Sequence, residues 1–238
     1  MAHRWVLSAL LLWGIVTNGL LAQDSGAKAR DLFLESSSSA PAAQPPVQHL
    51  GLRYNLLLLD PATRRAREVD ANAVFHAGDC FAVEFTSNRD GSLYAFDHGS
   101  SGNWQVLLPS PEMPDESSKV KAGERRRVPS DYCFQLDNPP GVERLILAVT
   151  ERPEDVERVR SMLAANNHTG GSNELAAADV NSAGELVESW QRLASRDLEI
   201  EKIDQPASAT ERPHSVYAVS AAAAKSGHFT LEILVRHE

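Results

Sequence analysis

In this chain of 238 residues, the side chains best suited to catalytic chemistry lie at residues 98–102, with the sequence HGSSG. An imidazole beside a hydroxyl is the pair that activates a serine nucleophile in hydrolases, provided that an acidic group orients the imidazole. The nucleophile turn of such enzymes reads G-x-S-x-G between a strand and a helix, whereas here the spacing differs and strand patterns continue on both sides. We expect a polar hairpin loop. The alternative is a secreted hydrolase that uses His98 with Ser100 or Ser101.

Metal and cofactor motifs are weak or missing in the sequence. The eight histidines are scattered without a pair at ligand spacing, and only two cysteines are present, so a structural zinc site is not expected. Residues 86–97 partly match a calcium-binding loop, but Thr86 stands at the first carboxylate position and strand patterns flank the segment. No glycine-rich phosphate loop precedes a helix pattern. The sequence therefore predicts no catalytic residue, no metal site and no cofactor, and the protein is expected not to be an enzyme.

The histidine loop lies within residues 75–109, which predict three short antiparallel strands. Residues 81–85 alternate between strongly apolar and less apolar side chains, which is the period of a strand that buries one face. Glycine-containing turns follow at residues 88–91 and 98–103, and Pro109 ends the third strand. We expect the three strands to form a β-meander.

Strand patterns with turn signals at short intervals continue from residue 50 to residue 150, which is typical of a β-sandwich or barrel. Two apolar stripes with helical spacing follow, and strand patterns return from residue 198. The sequence leaves open whether these last strands join the first sheet or form a separate lobe. The predicted fold class is mainly β, an antiparallel Ig-like β-sandwich with two accessory α-helices and a C-terminal β segment. The expected core contains Phe81, Val83, Phe85, Tyr94, Phe96, Tyr132, Phe134, Leu145 and Leu147.

The N-terminus has the composition of a secretory signal peptide. Arg4 is the only full charge in residues 1–22, and residues 5–16 are apolar apart from one serine and one glycine. This apolar run is too short for a comfortable bilayer span, which needs about 20 residues; an uncleaved anchor is the alternative. The expected organisation is a signal peptide at 1–22, a Ser/Ala/Pro-rich linker at 23–47, a β-sandwich domain at 48–152 and a helical and β extension at 153–238.

The overall charge restricts the partners of the exported chain. The formal net charge is −9, and an acidic surface disfavours nucleic acids and anionic lipids. We therefore expect that the protein binds no nucleic acid. From the signal peptide, we expect a secreted or periplasmic protein with no stable membrane insertion after signal cleavage.

Cys80 and Cys133 are the only cysteines in the chain. Exported proteins occupy oxidising compartments in which disulfides form, and both thiols lie on the less apolar face of their predicted strands. A bond between them would close a loop of 53 residues. We expect the Cys80–Cys133 disulfide; two separate free thiols are the alternative.

Between residues 75 and 143 the sequence contains an ordered series of short motifs and single residues that are typical of one protein family. They are Phe75, residues 77–79, Asn88, Asp90, Gly91, Leu93, Tyr94, residues 106–109, Val120, residues 122–124, Val128, Pro129, Phe134, residues 139–141 and Glu143. Together they resemble the bacterial domain of unknown function 4384 family, over roughly residues 50–153, and the flanking segments look like those of exported proteins of acidobacteria. The resemblance implies a secreted protein, or an accessory domain beside peptidases, kinases or repeat domains, without catalytic activity of its own.

Trp104 is the candidate anchor of a binding surface, together with Asp97 and His98 of the neighbouring turn and the long polar loop at residues 110–124. An exposed tryptophan offers a large, rigid contact for a protein or a glycan. A core position for Trp104 is the alternative. We expect a non-catalytic exported binding or accessory module of the bacterial cell envelope whose partner is an unknown envelope protein or glycan.

Overall fold

The computed structural model describes residues 28–37, 48–60, 62–100, 104–109, 118–152, 154–155, 158, 186, 189–192, 197–204 and 212–238. The predicted signal peptide, most of the predicted linker and most of the two predicted C-terminal helices lie outside these residues. In the described part of the chain the elements are α1 (Ala29–Ser37), β1 (Leu50–Leu59), β2 (Ala66–Val69), β3 (Val74–Phe75), β4 (Cys80–Ser87), β5 (Gly91–His98), β6 (Trp104–Leu108), β7 (Lys119–Val120), β8 (Arg125–Val128), β9 (Phe134–Gln135), β10 (Gly141–Thr150), β11 (Glu199–Ile203), β12 (Ser215–Ser220), α2 (Ala221–Ser226) and β13 (His228–His237).

Two sheets pack face to face. The first sheet has the strand order β11-β12-β1-β4-β8, with β2 beside β1 and β9 beside β4. The second has the order β3-β13-β10-β5-β6, with β7 beside β5. The described pairs are antiparallel except for β3 with β13, and the longest ladder runs from Gly141 opposite His237 to Thr150 opposite His228. The predicted fold class, a mainly β sandwich, is confirmed.

The β-meander predicted for residues 75–109 is wrong. β4 pairs with β1, β8 and β9 of the first sheet, whereas β5 pairs with β10, β6 and β7 of the second. Of these three strands, β5 and β6 pair as a hairpin. The chain crosses between the sheets at Asn88, which is buried: its Nδ2 donates to His49 O at 2.8 Å and its Oδ1 accepts from Gly51 N at 3.0 Å. These bonds tie the crossing to the start of β1, so the turn does not close a hairpin.

The main core lies between the two sheets. Its most deeply buried members, each no more than 2 % exposed, include Leu52, Leu56, Phe85, Leu93, Leu147 and Phe229. Phe81, Val83, Leu145 and Leu147 belong to this core as expected, and Phe134 packs against its edge.

Three residues of the expected core lie elsewhere. Tyr132 is 65 % exposed, because β9 spans only Phe134–Gln135 and the alternation does not extend back to Tyr132. Tyr94 and Phe96 are buried but lie outside the main core cluster, on the other face of β5. There the Tyr94 ring lies 6.4 Å from the ring of Trp190.

The C-terminal strands belong to both sheets. β12 pairs with β1, and β13 lies between β3 and β10. The sandwich therefore includes β11, β12 and β13, three strands that lie outside the domain predicted at 48–152. A chain of contacts links the described helical residues before β11 to the second sheet. The Trp190 ring stacks on the His228 ring with their centroids 5.6 Å apart. Asp155 Oδ2 lies 3.2 Å from Nε2 of the same His228 ring.

Helix α1 covers part of the first sheet, whereas α2 contacts strands of both sheets. Phe33 of α1 packs its ring edge-on against Tyr217 at 5.5 Å, so residues expected to be linker contribute a small outer core. α2 begins after Ser220, whose side chain accepts from Ala223 N, and ends at Gly227 in the left-handed conformation. Neither described helix is long and apolar enough to cross a membrane.

Candidate functional site

A cleft of about 320 Å³ opens between the sheets at the end where β5 finishes and β10 begins. Apolar side chains of the core rim form one part of its lining, namely Phe81, Leu107, Phe134, Leu136 and Leu145. Polar groups form the other part, among them Asp97, Ser100, Gln105, Asp137 and Glu143. We call this the acidic cleft, because Asp97, Asp137 and Glu143 carry the titratable groups of its described lining.

Strand alternation places the two central carboxyl groups in the acidic cleft. Asp97 is two residues beyond Ala95 on the core-facing side of β5, and Glu143 is two residues before Leu145 on the core-facing side of β10. The register puts Asp97 opposite Leu145. Both carboxyl groups therefore continue rows of core residues to the end of the sandwich, where the cleft replaces the core.

The carboxyl group of Asp97 sits in a poor environment for a negative charge. Burial, and in second place the nearby charge of Glu143, raise its pKa from 3.8 to about 7. A carboxyl group with a pKa near neutrality in a cleft exchanges a proton under physiological conditions, which is a common property of functional sites.

Glu143 is held from two sides. His237 Nε2 lies 3.0 Å from Glu143 Oε1, and Ser100 N donates to Glu143 Oε2 at 3.0 Å. The His237 side chain is fully buried. Gly141 makes the second contact possible, because a Cβ there would come within 2.6 Å of the Ser100 Cβ. The Glu143 carboxyl group is thus fixed in position at the cleft.

His98 and Ser100, the described residues of the hydrolase alternative, each contact another group in the structure. Ser100 Oγ donates to Pro139 O at 3.2 Å. His98 Nδ1 lies 3.5 Å from Arg144 Nη1, and that guanidinium also pairs with Glu232 at 2.7 Å. Ser100 and His98 thus contact different partners, and Ser101 lies outside the described residues.

The predicted binding surface is described in part. Asp97 lines the acidic cleft, while His98 lies beside Arg144. Trp104 pairs with His98 through the backbone of the hairpin, but its side chain and residues 110–117 lie outside the described part. The sequence does not predict the position of Glu143 at the cleft or its contact with His237. The two-residue spacing of Glu143 from Leu145 is the available signal.

A second cleft, of about 350 Å³, lies beside the disulfide, and Arg64, Arg127 and Tyr132 are in its lining. Cys80 and Cys133 are bonded, with their Cα atoms 5.4 Å apart. The bond packs against Leu57, Leu59 and Ala82 on the outer face of the first sheet. The Arg127 side chain bonds the loop after β8, where its Nε donates to Pro129 O at 3.0 Å.

One group of possible metal ligands occurs among the described residues. Ligand atoms of Asp70, Asp204 and His214 lie within 4.8 Å of one another. Lys202 Nζ already bonds to Asp70 and lies 3.2 Å from Asp204 Oδ1. An ammonium group thus occupies the position from which a cation would neutralise these carboxylates.

The fold and the cleft define a class of protein, a β-sandwich with a ligand-sized acidic cleft at one end of its two sheets. Residues 74–153 match the family model described as Domain of unknown function (DUF4384). This stretch contains β3 to β10, and with them Asp97 and Glu143, but not His237. The comparisons with curated proteins and with solved structures found no significant match.

Proposed function

We propose that this chain is a non-catalytic binding or accessory module that is exported to the bacterial cell envelope and holds its ligand in the acidic cleft. The observation that carries the proposal is the cleft itself. It has a volume of about 320 Å³ and an apolar rim, and its lining includes Asp97 and Glu143, whose carboxyl groups interact electrostatically. Ligand sites are typically concave, mostly apolar and supplied with a few placed polar groups.

A binding role is favoured over the hydrolase because of the bonds that the described residues make. A serine nucleophile needs an imidazole within hydrogen-bond reach. Ser100 Oγ instead bonds a main-chain carbonyl, and the His98 ring lies against Arg144. The composition of residues 1–22 and the Cys80–Cys133 bond support export, since disulfides persist in oxidising compartments.

The test is a retention experiment with residues 23–238 immobilised on a support. Soluble peptide and glycan fragments from an enzymatic digest of bacterial envelopes are passed over it, and retained species are identified by mass spectrometry. Gln105→Trp fills the cleft, because Gln105 lies opposite Asp97 and lines it. Asn72→Trp places the same side chain at an exposed turn as a matched control.

We expect the wild type and Asn72→Trp to retain the same fragments and Gln105→Trp to lose them. Retention that is equal in all three proteins would remove the cleft from the proposal. An esterase or glycosidase activity that disappears in His98→Ala and in either Ser100→Ala or Ser101→Ala would overturn the non-catalytic role.

A further inference from the structure

Resting on the proposed function, the geometry points to a ligand class: we propose that the acidic cleft binds a lysine side chain of a partner peptide, with the ammonium group between Asp97 and Glu143.

The charge of the cleft favours a cation. Asp97, Asp137 and Glu143 contribute carboxyl groups, and none of the described lining residues is basic. His237 approaches Glu143 from the buried side, and the guanidinium of Arg144 pairs with Glu232 instead. An ammonium group would donate charge-assisted hydrogen bonds to two carboxylates that otherwise destabilise each other's ionised form.

The apolar rim favours a lysine over a small inorganic cation. The four methylenes of lysine bury well along apolar walls while the head group reaches polar partners. Phe81, Phe134 and Leu145 supply such walls, and Gln105, Gln135 and Asn138 offer amide groups to the backbone of a bound peptide. A divalent cation would need more converging ligands. The described cleft residues do not form a three-ligand group of the kind seen at Asp70, Asp204 and His214.

Binding of a fixed cation should displace a proton from Asp97. The pKa of this carboxyl group is about 7 in the free protein, so about half of the molecules carry the proton at neutral pH. An ammonium group beside it favours the ionised form. A lysine side chain stays charged up to about pH 10. The affinity should therefore rise as the pH increases from 5.5 to 7.5 and level off above that range.

Other titratable groups face the same region. They are Glu143 on β10, His237 on β13 and Asp137 in the loop before β10. His98 and Arg144 lie together on the opposite face of the second sheet. Measurements on Asp97→Asn separate the contribution of Asp97 from that of these neighbours, because the substitution removes only one titrating group.

The experiment is isothermal titration calorimetry of residues 23–238 with the peptide acetyl-Gly-Gly-Lys-Gly-Gly-amide. The comparison peptide carries Nε-acetyl-lysine, which has the same stem but no charge. Titrations at pH 7 in two buffers of different ionisation enthalpy count the protons released. We expect at least tenfold weaker binding of the acetylated peptide and release of about half a proton per bound lysine.

Two variants complete the test. Asp97→Asn should weaken lysine binding at least tenfold and abolish proton release, while Glu199→Gln, the same carboxyl-to-amide replacement at an exposed residue of β11, should do neither. Thermal unfolding of each variant verifies that it is folded.

The inference is wrong if the acetylated peptide binds as well as the charged one, or if Asp97→Asn binds as tightly as the wild type. It is also wrong if a glucosamine oligomer or calcium chloride binds in the cleft and the lysine peptide does not. In those cases, loss of ligand retention in Gln105→Trp would leave the proposed function standing. If neither lysine binding nor retention depends on Gln105, both proposals fail.

Discussion

Asp97 continues a row of buried core residues of β5 into a cleft, and this position makes its carboxyl group sensitive to pH. The pKa is about 7 in the folded protein, against 3.8 for the ordinary value. Between these values the folded chain binds more protons than the unfolded chain, so stability falls as the pH rises. The stabilising contribution is fully present below pH 3.8 and is lost as the pH rises through 7.

Asp97→Asn should remove this pH dependence, because the amide is isosteric and cannot ionise. We expect the variant and the wild type to melt at similar temperatures at pH 4 and the variant to melt higher at pH 8. The expected advantage is about 1–2 kcal/mol, which corresponds to roughly 2–8 °C for a chain of this size. This free energy is smaller than the one to which the full pKa shift corresponds, because water reaches the cleft and screens the charge.

Thermal unfolding of both proteins at each pH from 4 to 8 checks this prediction. The comparison cancels other titrations, including that of His228, whose pKa is lowered chiefly by burial and whose effect on stability has the opposite sign. A difference in melting temperature that stays constant across this range would contradict the assigned environment of Asp97.

The cysteines give a second prediction at this scale. The structure joins Cys80 to Cys133 across a loop of 53 residues, and thiol titration of the denatured, unreduced exported protein should find no free thiol. Replacing both cysteines by alanine should cost about 4 kcal/mol of unfolding free energy by the chain-entropy argument. Two reactive thiols per chain would show that the pairing is wrong.

At the scale of elements, the crossing between β4 and β5 decides how the sandwich is assembled. Asn88 is 3 % exposed and bonds both His49 O and Gly51 N. An alanine at this position would leave two backbone groups without their partners in a buried region, and each orphaned group costs about 1–3 kcal/mol.

We therefore expect Asn88→Ala to lower the unfolding free energy by about 2–4 kcal/mol in urea denaturation. Asn72→Ala, at an exposed turn, is the matched control and should change it by less than about 0.5 kcal/mol. If the two variants are equally stable, the side chain of Asn88 does not hold the crossing.

The sequence predicts the positions of strands better than it predicts which strands pair with each other. Alternation at residues 81–85 correctly predicts a strand, but a turn signal such as that at residues 88–91 is compatible both with a hairpin and with a crossing between sheets. The bonds of Asn88 to residues near position 50 distinguish the two, and they are not visible in local sequence. The cleft was missed for a related reason: Asp97 and Glu143 meet only through the register of β5 and β10, which no local pattern determines.

At the scale of the whole molecule, the part that matches the family model is not the part that closes the sandwich. Residues 74–153 contain β3 to β10. The described structure places β13 between β3 and β10, and β1 between β12 and β4. Removal of β1, β12 and β13 would expose the edges of β3, β4 and β10 and open the main core from both sides.

A chain that ends at residue 152 should therefore fail to fold. It loses Phe229, Leu231 and Ile233 from the core together with the ten-residue β10–β13 ladder, and His237 would no longer support Glu143. We expect residues 28–152 to show no cooperative thermal unfolding and little amide protection from hydrogen exchange, whereas residues 28–238 show both. The fragment 153–238, added in trans, should restore cooperative unfolding if the missing strands are the cause. A stable, cooperative fragment 28–152 would mean that the C-terminal strands are an addition to a complete domain rather than part of its core.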